Sequence, residues 1–176
     1  MRLVSVNAGK PREVLWRGRR VRSAIWKMPL AGATHITRFG LEGDVQAEPA
    51  LHGGADKAVY IYPAEHYAYW RPLLGELPWG AFGENFTTEG LSEAEVHIGD
   101  ELAVGSVLLE VTQPRTPCAK LAMRFQRPAL VREFRKSART GFYCAVLREG
   151  DVRPGDRIER VRTTGAMPTV DELVRR

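Results

Sequence analysis

Cys118 is the residue whose type and setting could do the most chemistry in this chain. It lies in Gln113-Pro114-Arg115-Thr116-Pro117-Cys118-Ala119-Lys120-Leu121. A thiolate is a strong nucleophile and a soft metal ligand, and a helix N-terminus or a nearby cation favours it over the thiol. This stretch offers both. Thr116 reads as an N-cap and Pro117 as the first helical residue, where a missing N–H costs little. That places Cys118 at the second helical position, and Arg115 and Lys120 add positive charge. The expectation is a thiol that ionises more readily than a free cysteine. The competing reading is a buried, inert cysteine, which is how most single intracellular cysteines behave. The flanking prolines, the two cations and the strand-to-helix position favour function.

Two further stretches carry polar groups at suggestive spacing. In Leu51-His52-Gly53-Gly54-Ala55-Asp56-Lys57 the paired glycines let backbone amides approach a ligand and form an anion-binding nest. His52, Asp56 and Lys57 add a titratable ring, an acceptor and a cation. Gly80-Ala81-Phe82-Gly83-Glu84-Asn85-Phe86-Thr87 is a glycine-punctuated loop with a carboxylate and an amide. Taken alone, either stretch could be an ordinary turn.

The elements that must position these groups are mostly strands. The apolar run 107–111 reads as a strand leading to Cys118, and Pro114 should end it or hold it at a sheet edge. Residues 3–6, 13–16, 21–25, 33–39, 58–62, 142–147 and 157–161 read as further strands, with Arg17-Gly18 as a hairpin turn. Gly99-Asp100 and Gly155-Asp156 are turns of the kind that recur in closed barrels. Helices are expected from Pro63 to Trp70, from Pro128 towards Gly141, and as a stub at 170–174. His66 and Trp70 read as packing and surface residues rather than ligands. The pattern predicts a mostly β fold, a β-barrel with a few short peripheral helices. One domain would span 1–162, and 163–176 would be a tail with a short helix.

The 176 residues carry a net charge of +5 and two cysteines, Cys118 and Cys144. Two cysteines make no disulfide scaffold. No secretory core or bilayer-length apolar run is visible, so the expected location is the cytoplasm. Basic clusters at Arg17, Arg19, Arg20 and Arg22, and at Arg132, Arg135, Lys136 and Arg139, lack the interleaved aromatics of a nucleic-acid platform. They fit solvated faces or an anionic small-molecule ligand better.

In order and spacing, several segments together resemble the MOSC domain family, named for the C-terminal domain of molybdenum cofactor sulfurases. They are Ser23-Ala24-Ile25-Trp26-Lys27, Gly40-Leu41-Glu42-Gly43-Asp44, the His52 to Val59 run, Gly83-Glu84-Asn85-Phe86, Ile98-Gly99-Asp100 and Gln113 to Cys118. The likeness is to its stand-alone bacterial branch and covers about Val21 to Val161. It implies a barrel of the MOSC and pyruvate-kinase-barrel type that binds molybdenum cofactor (molybdopterin), with Cys118 as metal ligand and catalytic residue. It also implies reduction of N-hydroxylated compounds such as hydroxylaminopurines, with electrons from a flavin or iron–sulfur reductase. On that reading Ser23, Lys27, Gly53, Gly54, Asp56, Lys57, Glu84, Asn85 and Arg115 hold the cofactor. The cations and glycine amides would take its phosphate, and Asp56, Glu84 and Asn85 the pterin edge. His52 would supply a proton or serve as a buried hydrogen-bonding group. The family also offers an alternative, a sulfur carrier or cofactor-handling module with a persulfide on Cys118. No membrane partner is implied, nucleic acid is disfavoured, and the state would be a monomer or homodimer. Members of this branch continue into a helical C-terminal region, here represented by the stub after Thr163.

Overall fold

Alternating burial along 107–111 sets the longest strand. Val107, Leu109 and Val111 are buried, while Leu108 and Glu110 are half-covered, the period-two pattern of a sheet with one face to the core. In the computed structural model, residues 1–45 and 54–176 are described. The strands are β1 (Arg2–Ala8), β2 (Arg12–Trp16), β3 (Arg19–Ser23), β4 (Met28–Pro29), β5 (Thr34–Thr37), β6 (Gly40–Leu41), β7 (Val59–Pro63), β8 (Phe86–Glu89), β9 (Glu101–Val104), β10 (Val107–Pro114), β11 (Phe142–Arg148), β12 (Gly150–Val152) and β13 (Ile158–Arg162). The helices are α1 (Glu65–Leu74), α2 (Ala119–Arg124), α3 (Leu130–Ser137) and α4 (Val170–Val174).

Eight strands form one sheet in the order β13-β9-β10-β11-β7-β8-β1-β4. Its ladders are antiparallel except between β7 and β8. The sheet wraps until its ends meet. Leu3 donates to Asp156 at 2.8 Å, Gly155 to Leu3 at 2.7 Å and Ile158 to Met1 at 2.9 Å. A single bridge, Arg2 to Arg157, stands where a closed barrel would have a ladder. The fold is therefore mostly β and barrel-like, with an open seam. β10 lies inside the sheet, between β9 and β11, and Pro114 is its last residue rather than an edge marker. There the missing N–H interrupts nothing beyond it.

Two apolar clusters hold the fold. Leu3, Val6, Ile61, Phe86, Leu102, Leu109 and Phe142 fill the barrel. Tyr62, Tyr67, Trp70, Phe82, Leu130 and Phe134 pack α1 and α3 against the sheet. Trp70 stacks on Phe134 at 5.3 Å, and its indole N–H donates to the Tyr62 hydroxyl at 2.9 Å. Trp70 is thus the packing residue its apolar surroundings demand. His66 is an anchor: its ring meets the buried Glu93 carboxylate at 2.7 Å, and Glu93 also accepts the Gly141 N–H. Pro63 closes β7 and α1 starts two residues later, running through Pro72 to a Gly75 stop at φ 77°. The segment after Thr163 does not trail. Thr169 and Glu172 form a capping box on α4, Val170 is fully buried, and its N–H donates to Val96 at 2.9 Å.

Gly141 sits at the junction that matters most for Cys118. Its φ is +68°, and a Cβ there would lie 2.3 Å from the Ile61 carbonyl oxygen. Its own carbonyl accepts the Arg115 N–H at 3.0 Å. Gly141→Ala is expected to lower stability by roughly 3 kcal/mol, from left-handed strain plus a backbone clash, as read by urea unfolding.

Candidate functional site

Arg115 to Cys118 hangs off the end of β10. The Arg115 N–H to Gly141 bond carries the pairing with β11 one rung past Pro114, and the residue before Pro117 is sterically kept extended. The helix accordingly begins late. Cys118 is the residue before α2, extended at φ −124° and ψ 175°, and its carbonyl accepts the Leu121 N–H at 3.0 Å. The expected second-helical-position placement is corrected to N-cap, on a helix of six residues. The thiol is half-buried and free; Cys144 is also free but fully buried.

Cys118 opens onto a cleft of about 100 Å³, whose wall includes Ser23, Lys27, Lys57, Asn85 and Arg115. These five expected site residues converge although they lie up to 92 positions apart in sequence (115 − 23). Arg115 is 6% exposed, between the rings of Tyr60 at 5.1 Å and Phe134 at 5.5 Å. Its Nη1 is buried with no hydrogen-bond partner among the described residues. Burial opposes the Arg115 charge, but Tyr60, Tyr143 and Cys118 beside it hold its pKa above the ordinary value. A buried guanidinium with an unused donor is a group built for an anion.

Lys27 is buried and forms an ion pair with Asp44, and burial pulls its pKa below the usual lysine value. Asp44 is fixed in turn by the Gly9 N–H at 2.8 Å and the Asn85 amide at 2.9 Å. Asn85 also takes the Tyr60 N–H on its side-chain oxygen, so it braces the cleft wall and has little left to give a ligand. The Ser23 hydroxyl accepts the Ile25 N–H at 3.3 Å and shapes the same wall. Lys57 ends a single 3-10 turn, Ala55–Lys57, that follows Gly54 at φ 97°. Gly54 and Asp56 are exposed and do not line the cleft. Among the contacts of that turn, the Asp56 carbonyl is tied to the Thr112 hydroxyl at 2.6 Å. His52 and Gly53 lie outside the described residues.

Glu84 departs from expectation. Its carboxylate faces inward and collects the Gly80 N–H at 2.8 Å, the Phe82 N–H at 3.1 Å, and the hydroxyls of Thr87 and Tyr67. It is fully buried and does not line the cleft, so it pins the glycine loop and is not free to meet a pterin. The sequence pattern failed here because the loop's own amides outcompete any ligand for the carboxylate. Lys120, expected as a cation near Cys118, lines the cleft too, and so do Asp44, Tyr60 and Tyr143, which were not expected there. Of those three, only Asp44 had a usable signal, the turn Gly43-Asp44.

The buried phenols give the site a pH signature. Burial raises the pKa values of Tyr60, Tyr62, Tyr67 and Tyr143. The folded chain therefore keeps protons that the unfolded chain releases once pH passes the ordinary tyrosine value near 10. Stability should be constant with respect to these groups below that pH and fall above it. Tyrosinate absorbance for these four is expected to rise together with loss of circular dichroism, not ahead of it.

Residues 48–159 match the model of the MOSC domain family. The chain belongs to the MOSC domain family. It is 43% identical to YflK of Bacillus subtilis over 158 residues, 89% of this chain and 72% of YflK. It is 41% identical to the Escherichia coli protein YiiM, covering 79% of this chain and 64% of YiiM. A protein of Gibberella moniliformis named a reductase is 37% identical over 89% of this chain, which spans only 28% of that protein. Among solved structures, YiiM from Geobacillus stearothermophilus superposes with a TM-score of 0.80 at 36% identity, over 98% of this chain and 81% of that one. YiiM from Escherichia coli gives 0.77 at 32% identity, over 99% and 76%. This MOSC chain thus shares its fold with the YiiM structures and spans 81% and 76% of their lengths. No helix among the described residues is long and apolar enough to cross a membrane.

Proposed function

We propose that this MOSC protein binds molybdenum cofactor in the Cys118 cleft and reduces N-hydroxylated compounds of the hydroxylaminopurine type, in the cytoplasm, as a monomer or homodimer. The observation that carries the reading is the unpartnered, buried Nη1 of Arg115 in the wall that also holds Cys118. Among the described residues, no three His, Cys, Asp or Glu side chains gather into a metal site. The donor set therefore suits a metal that arrives with ligands of its own and takes one sulfur from the protein. Lys57 and Arg115 would hold its anionic end. When bound, the cofactor supplies two-electron reduction: one N–OH, two electrons and two protons give N–H and water. A flavin or iron–sulfur donor protein would provide the electrons.

The chain's own residues orient and protonate. Lys27 faces the cleft with an ammonium that burial makes more acidic, and Asp44 fixes its position. It is the described group best suited to deliver a proton to the leaving oxygen. The similarity to a protein named a reductase supports a redox role. The test is molybdenum per chain, by elemental analysis, in protein from a host that makes the cofactor, followed by assay on an N-hydroxylated purine. About one metal per chain and metal-dependent reduction are expected. A metal-free protein from such a host would overturn the reading.

A further inference from the structure

A second cationic locus stands on the rim of the cleft. Lys120 lines the cleft, and Arg124 follows it by four residues on α2, on the same side of the helix. The Arg124 guanidinium lies 5.9 Å from the Trp26 ring, and that of Arg12, from the start of β2, lies 3.9 Å over the same ring. Trp26 in turn sits between Ile25 and Lys27, both of which line the cleft. Two guanidiniums are thus gathered around one indole. Among the described residues neither is paired with a carboxylate, and the Arg124 Nε is buried without a partner. Burial and the repulsion of Arg12 both lower the Arg124 pKa below its ordinary value.

We propose that Arg12 and Arg124 form a phosphate subsite, and that the substrate is a nucleotide rather than a free base. This rests on the reading of the cleft as a site for N-hydroxylated purines. A phosphate monoester carries close to two negative charges and three acceptor oxygens, enough to engage two guanidinium forks at once, which a single carboxylate oxygen pair does less well. The cofactor also ends in a phosphate, so the shared chemistry is a phosphate monoester. The substrate is favoured as its source because Arg115 and Lys57 already serve the cleft wall beside Cys118.

The test compares adenosine with adenosine 5′-monophosphate by titration calorimetry on the purified chain at low salt. The monophosphate is expected to bind at least tenfold more tightly. Arg12→Gln combined with Arg124→Gln should erase that preference, and the corresponding double lysine variant should restore part of it. Because Arg12 is exposed, Arg12→Gln alone provides a folded comparison and should lose part of the preference. Equal binding of the two probes by the wild type, or a preference that survives in the glutamine variants, overturns the subsite. Loss of molybdenum in the double glutamine variant would assign the phosphate to the cofactor and overturn the substrate assignment. A wild type that binds the monophosphate preferentially yet never carries molybdenum would sink the reductase reading and leave the subsite standing.

Discussion

Cys118→Ser should carry at least about 100-fold less molybdenum affinity than the wild type, since even residues that merely orient a metal ligand are worth 10–100-fold. The expected readout is metal per chain, near one in the wild type and near zero in the variant, with N-hydroxy reduction lost in parallel. The change ought to leave folding alone. Cys118 is half-buried, precedes the helix, and caps it through its carbonyl and not its sulfur. A substitution at such a place shifts stability by about 0.5 kcal/mol or less. Cys144→Ser is the internal contrast. Cys144 is wholly buried in β11, and burial drives its thiol far above the ordinary range. A hydroxyl there should cost roughly 1–3 kcal/mol for want of a partner and leave metal content unchanged. If neither the wild type nor any variant binds molybdenum and Cys118 instead gains the mass of a sulfur atom removable by reductant, the sulfur-carrier reading replaces the reductase.

Much of this site could be read along the chain because its parts are local. The hairpin of β2 and β3 was visible in its turn, and the turn residues Arg17 and Gly18 do take positive φ. Cys118, Arg115 and Lys57 announced themselves by type and neighbours, and the fold brings them to one cleft. Position within the helix was harder. Whether Thr116 or Cys118 precedes α2 depends on the Arg115–Gly141 bond, made to a residue 26 positions on (141 − 115), which no local pattern contains. Asp44 was missed for the same reason. Its role comes from Gly9, Lys27 and Asn85, each on a different segment. The seam of the barrel is likewise a long-range fact, set by how far the sheet curls before β1 meets the turn ahead of β13. Residue type foretold charge and reach, whereas inward or outward orientation came only from packing.

Glu84 is where that distinction has its largest consequence. Glu84→Ala should destabilise the protein by roughly 4 kcal/mol, because it strands several buried donors at once. The Gly80 and Phe82 amides and the Tyr67 and Thr87 hydroxyls all converge on this one carboxylate. Glu84→Gln keeps an acceptor oxygen but turns an N–H₂ towards the remaining donors, so about half that loss is expected. Burial raises the Glu84 pKa above its ordinary value, against the pull of those donors. The folded chain thus binds this proton more tightly than the unfolded chain does. The stabilising contribution is complete below the ordinary glutamate value near 4.3 and declines as pH rises through the folded value. The stability of the wild type relative to Glu84→Gln should decline across that window, measured by urea unfolding at a series of pH values. The cleft should respond as well. Gly83 and Asn85 flank Glu84 in the wall, and Asn85 holds Asp44, which holds Lys27. A loosened loop is then expected to lower metal retention in Glu84→Ala while Cys118 remains intact. An alanine variant that unfolds within about 1 kcal/mol of the wild type would show that water serves these donors as well as the carboxylate does, and the loop would lose its anchor role.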